Sequence, residues 1–278
     1  MRQIVLIIFT ILAMGCIKEA DSDTGYRQRL VVDGAIESGR GAVVSLSLNT
    51  PFSDSYDEDD FRDMVVRWAK VTVRHGEESE VLIGRSNSDY PTRFIYTGSD
   101  IIGQAGESYD LIVEYSGRVW YASTTIPEPA ELGEIRVEML CDTLCTISAT
   151  LPPIATPCAV DCALGDSRYY APTLLGVYDK SSKPRQITIS RPLDNLYRTD
   201  YMTSFHLRDT VSLRLRTMNE FSYEYWNLWE NNVINSVNPI FPAVDNLPTN
   251  ISDDAIGIWA GYGRSTYPLG VLEDIVEK

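Results

Sequence analysis

Histidine is scarce in this chain: only His75 and His206 occur among 278 residues. That scarcity removes most zinc sites and most base-assisted nucleophiles. Positive charge is also short, with 24 Lys and Arg against 39 Asp and Glu, a net charge of −15. No nucleic-acid partner is expected, because phosphates must be neutralised by cations. The G-x-S-x-G elbow, the G-x-x-x-x-G-K-[ST] loop, H-E-x-x-H and G-x-G-x-x-G do not occur, and with them go the commonest nucleotide and hydrolase chemistries. Neither a metal, a cofactor nor an enzymatic activity is expected. The acids leave one opening, since paired carboxylates for glycan hydrolysis are defined by separation in space and not by spacing in sequence. Hydrophobic residues at 44% and charged residues at 23% are those of a globular chain.

What is present begins with an address. Arg2 precedes an uncharged run of 11 residues, Ile4 to Met14. A membrane-spanning helix needs ~20, so the run has the length of a signal-peptide core. It ends in Leu12-Ala13-Met14-Gly15-Cys16, which resembles the lipobox of bacterial lipoproteins. The resemblance implies removal of residues 1–15, acylation of Cys16 and attachment to the membrane through that lipid anchor. The bland alternative is an ordinary secretory signal with an incidental Cys16. Residues 16–25 follow as a short acidic tether: either a plain stalk, or a signal resembling the one that carries bacteroidete lipoproteins to the outer leaflet.

Four further cysteines, Cys141, Cys145, Cys158 and Cys162, have the spacing C-x3-C-x12-C-x3-C. An even count in a secreted chain predicts disulfides. If two antiparallel segments carry the pairs, the nested pairing Cys141–Cys162 and Cys145–Cys158 follows. Four thiolates could instead hold zinc, although structural sites favour closer pairs.

The body reads as mainly β. Val44, Leu46 and Leu48 share one face, Tyr109, Leu111, Val113 and Tyr115 another, with Gly-containing turns between such runs. This predicts an immunoglobulin-like sandwich over 26–127. Ile126-Pro127-Glu128-Pro129 marks a boundary, followed by a β-rich domain over 131–278. That domain carries one helix at 219–234, with Asn219 as its N-cap, and closes on a strand through Trp259 and Tyr262.

Several motifs recur in order: the lipobox, Val31-Val32-Asp33-Gly34-Ala35-Ile36, Ser123-Thr124-Thr125-Ile126-Pro127, the Tyr223-Glu224-Tyr225-Trp226 helix, and Asn250-Ile251 before a Gly-and-aromatic strand. Together they resemble a family of two-domain bacteroidete lipoproteins known only as a domain of unknown function. The resemblance implies an outer-membrane location, on the periplasmic face or the cell surface. It also implies a TonB-dependent receptor as partner, since members are often encoded beside such receptors, and it supplies no catalytic residues.

Two surface features compete for a role. Asp54, Asp57, Glu58, Asp59, Asp60 and Asp63 form the densest acidic run, but lack the glycine and spacing of a calcium loop and read as a solvated excursion. Tyr223, Trp226, Trp259 and Tyr262 are the candidate contact surface. The expected function is a binding or accessory subunit of an uptake system, with a structural or adhesive surface lipoprotein as the alternative and a glycan-active enzyme as the third.

Overall fold

The computed structural model describes residues 27–50, 63–192, 203–236 and 246–276. The signal, Cys16, the tether and most of the acidic run lie outside the described residues. The protein is mainly β. Its first eight strands are β1 (Leu30–Glu37), β2 (Gly41–Leu48), β3 (Lys70–His75), β4 (Glu78–Val81), β5 (Ile83–Ser86), β6 (Phe94–Ile102), β7 (Ser108–Tyr115) and β8 (Arg118–Thr125). They form two layers, β1-β2-β6-β5 and β4-β3-β7-β8. That is an immunoglobulin-like sandwich, with the first, second, sixth and fifth strands facing the rest. Alternation builds the core: Val32, Ile36, Val44 and Leu46 meet Val71, Val73, Leu111 and Val113 from the opposite layer. The Tyr109 hydroxyl accepts the Gln104 N–H at 2.8 Å, the tyrosine corner of such sandwiches.

The second unit runs through β9 (Ile135–Cys141), β10 (Leu144–Leu151), β11 (Cys158–Leu164), β12 (Ala171–Tyr178), β13 (Arg185–Ile189), β14 (Ser204–His206), β15 (Thr210–Thr217), helix α1 (Glu220–Ser236) and β16 (Ile256–Val271). One layer has β10 between β9 on one edge and β13 and β14 in succession on the other. The facing layer, β12-β11-β15-β16, repeats the order β4-β3-β7-β8. Helix α1 begins where the sequence predicts, since Asn219 Oδ1 accepts the Ser222 N–H at 2.8 Å and caps its first turn.

Strand β16 belongs to both units. Its first half, Ile256–Tyr262, lies parallel to β1 in the first sandwich. From Gly263 to Val271 it pairs antiparallel with β15 of the second. One continuous sheet results, β12-β11-β15-β16-β1-β2-β6-β5. The first half is latched by side chains that mimic a neighbouring strand. Asn250 donates to the Trp259 carbonyl at 2.8 Å and accepts its N–H at 2.9 Å, while Thr124 Oγ1 accepts the Gly261 N–H at 2.8 Å. The strand passes so close to the interdomain segment that a Cβ at Gly261 would sit 2.7 Å from the Thr125 oxygen, and one at Gly263 2.5 Å from that of Pro127.

Two expectations are corrected here. No disulfide joins the four described cysteines. Cys141 and Cys145 flank the β9–β10 turn and face opposite ways, Cys141 to solvent and Cys145 to the core, while Cys158 and Cys162 lie buried on β11 in the facing layer. The nested pairing required two adjacent antiparallel segments, but β10 and β11 lie in different sheets. Burial pushes the Cys158 and Cys162 thiols up to about 12, which makes them core residues of low reactivity. Trp259 is likewise no contact residue. It is fully buried in the first sandwich, fills the space above Gly34, and donates its indole N–H to the Tyr109 carbonyl at 3.0 Å.

Candidate functional site

The period of two that buries Val32 and Ile36 points Asp33, Ala35 and Glu37 out of the first sandwich. On β15 the same alternation buries Leu213 and Leu215 and turns Arg214 and Arg216 outward. Because β16 joins the two units, these outward faces form one surface, and β16 adds Tyr262 and Arg264 between them. Over this seam lies a cavity of about 120 Å³. Helix α1 contributes Trp226 to its wall. The connection before β6 contributes Tyr90, and the one before β12 contributes Arg168 and Tyr169. These two connections come from different sandwiches and touch. The Tyr90 and Tyr169 rings lie 4.9 Å apart, and the Arg168 N–H donates to Asp89 Oδ2 at 3.1 Å.

A charge network forms the floor. Arg214 bridges Glu37 and Asp161, with 2.7 Å from its Nη2 to Asp161 Oδ2. Arg264 Nε reaches Glu37 Oε2 at 3.2 Å. Arg216 Nε lies 2.8 Å from Asp161 Oδ2, although the N–H is not aligned to donate and Asp161 Oδ1 accepts no bond. Arg216 is also gripped between rings, 4.2 Å from the centre of Trp226 and 4.7 Å from that of Tyr262. Those two aromatics are themselves joined, Trp226 Nε1 donating to the Tyr262 hydroxyl at 2.7 Å. Arg214 is fixed in its charged form by the surrounding carboxylates, which outweigh the cost of its burial.

Asp33 behaves differently. Its carboxylate has no hydrogen bond or ion pair among the described residues. It lines the cavity and is exposed. Loss of hydration pushes its carboxyl above the ordinary 3.8, against the pull of Arg216. Partial burial, with Asp33 and Asp161 nearby, pushes the Tyr169 hydroxyl up to about 12.

Of the aromatic candidates read from the sequence, Trp226 and Tyr262 meet at this cavity. Tyr223 is half-buried where α1 packs against β16. The charged members of the site, Asp33, Asp161, Arg214, Arg216 and Arg264, escaped sequence reading. Their signal is an ionic residue in an apolar strand: Asp33 in LVVDGAIE, Asp161 in CAVDCAL, and the alternating arginines of TVSLRLRT. Among the described residues no cluster of His, Cys, Asp or Glu could hold a metal ion.

A family model described as "Domain of unknown function (DUF4249)" matches residues 17–267. No curated protein matches. Among solved structures, the crystal structure of chicken CNTN1 FN1–FN3 domains aligns at 12% identity over 68% of this chain and 60% of that one, with a TM-score of 0.23.

Proposed function

We propose a ligand-binding role at the cell envelope for this chain, which belongs to the family described as Domain of unknown function (DUF4249). In this reading residues 1–15 are a lipoprotein leader, Cys16 carries the acyl chains, and residues 16–25 tether the body. Each buried lipid CH₂ is worth ~0.8 kcal/mol, and two or more chains hold stably. No helix among the described residues is long and apolar enough to cross a membrane, and the reading assigns attachment to the lipid. The body then serves as a binding or accessory subunit of a TonB-dependent uptake system in the outer membrane.

The observation that carries the reading is the seam cavity. Five arginines line it, against two lining carboxylates, in a chain whose net charge is −15. Arginine concentrated against the prevailing charge and walled by aromatic rings has the make-up of a ligand site. Metabolic labelling with a palmitate analogue tests the placement: wild-type protein is expected to label, and Cys16→Ser to remain unlabelled and soluble. Crosslinking in intact cells is expected to recover a TonB-dependent receptor. A mature terminus mapped away from Cys16, or crosslinks that contain no receptor, overturns the reading.

A further inference from the structure

Two neighbouring arginines at the seam use their donors differently. Arg214 donates from Nε and Nη2 to Asp161 Oδ2, at 2.9 and 2.7 Å, and from Nη1 to Glu37. Arg216, only 2% exposed, stands beside the same Asp161 oxygen, yet none of its side-chain N–H groups donates a hydrogen bond among the described residues. Its guanidinium is held over the rings of Trp226 and Tyr262, and Arg216 lines the seam cavity. Arginine carries its donors in a rigid planar fork. A buried fork with no acceptor points to an acceptor that the protein does not supply.

Charge and size narrow the class. Arg214, Arg216 and Arg264 face Glu37 and Asp161, so the floor keeps one positive charge in excess. Asp33, exposed beside the cavity, subtracts from that excess, and Arg40 and Arg168, exposed at the mouth, add to it. A small anion is the complement. A carboxylate can take a guanidinium fork in two parallel bonds, which a single water cannot match. At ~30 Å³ per water, the cavity of about 120 Å³ has room for about four waters, or a ligand of about four to six non-hydrogen atoms. Ala35, Val43 and Pro172 add an apolar lining. It suits a short hydrocarbon tail and would leave the outer oxygens of inorganic phosphate unanswered.

We propose that the seam cavity binds a short monocarboxylate of roughly two to four carbons, its carboxylate on Arg216 and its tail toward Val43 and Pro172. This rests on the ligand-binding reading above and names the class of ligand. Failure of lipid labelling at Cys16 would leave it standing, and failure of carboxylate binding would leave the envelope placement standing.

Equilibrium dialysis of the detergent-solubilised full chain against radiolabelled propionate tests it. Saturable binding is expected, with unlabelled butyrate displacing the label at similar concentrations. Neutral propionamide should compete ~10-fold or more weakly, because it lacks the charge that the fork answers. Octanoate, too long for the cavity, should also be weaker by ~10-fold or more. Arg216→Lys keeps the charge but not the fork and should weaken propionate ~10-fold. The competition series on the unaltered chain remains decisive even if the variant folds poorly. The proposal is overturned by absence of saturable binding, by propionamide or octanoate competing as well as butyrate, or by phosphate binding more tightly than propionate. Undiminished binding by a folded Arg216→Lys overturns the assignment to that arginine.

Discussion

The corner where β4 meets β6 and the seam where the two sandwiches join both hold a carboxylate, Glu80 and Asp33, and they treat them in opposite ways. At the corner, Glu80 accepts the backbone N–H groups of Asp100 at 3.0 Å and Ile101 at 2.9 Å, together with that of Ser99. Burial alone would raise its carboxyl, but these donors outweigh burial and hold it below the ordinary 4.5. At the seam, Asp33 is exposed beside the cavity and receives no such donors among the described residues. A charge answered by the backbone fastens the fold. A charge left unanswered beside a cavity lowers stability.

The sharpest way to break this comparison lies at the seam's own fastener. Asp161 is almost wholly buried and stands against two arginines. Asp161→Ala would strand Arg216 and leave Arg214 with Glu37 alone, and a loss of ~3–5 kcal/mol is expected, read as the shift in the urea midpoint. A loss under ~1 kcal/mol, the range of exposed pairs, would mean that water already solvates those arginines. Glu80→Gln at the corner is expected to cost ~1.5–3 kcal/mol, the worth of hydrogen bonds to a charged acceptor. Its pH dependence has a definite sign. Because the folded value lies below 4.5, the contribution of Glu80 is present above 4.5 and disappears as pH falls through the folded value.

Asp33→Asn should give the smallest effect, with the opposite sign. Its folded value lies above 3.8. Its contribution is therefore fully present below 3.8 and is lost as pH rises through the folded value. At neutral pH the ionised group destabilises, so Asp33→Asn should raise the melting temperature, and the gain should vanish in acid. A variant that melts lower than wild type at neutral pH would show that Asp33 is fastened like Glu80.

Much of the architecture is legible in the sequence because strands announce themselves locally. Period-two burial in β1, β2 and β7 follows from side chains alone, and Asn219 marks where α1 begins. Partners are not announced locally. Nothing near Ile256 says that it will lie parallel to Val31, some two hundred residues earlier. Without that pairing, Trp259 reads as a surface aromatic and not as a core residue of the first sandwich. The same ignorance of neighbours affects the cysteines, whose spacing fits a nested pair only if β10 and β11 are adjacent. The site itself was half legible. Trp226 and Tyr262 were singled out as aromatics, but the ions that organise them are scattered over β1, β11, β15 and β16. They converge only because one strand crosses between the units.

Hydrogen exchange followed by mass spectrometry tests that crossing most directly. If β16 makes the two sandwiches a single unit with the site on their shared face, amides of Ile256–Tyr262 and Gly263–Val271 should exchange together, at one slow rate set by global unfolding. Early exchange of Ile256–Tyr262 alone, while the second sandwich stays protected, would contradict the account.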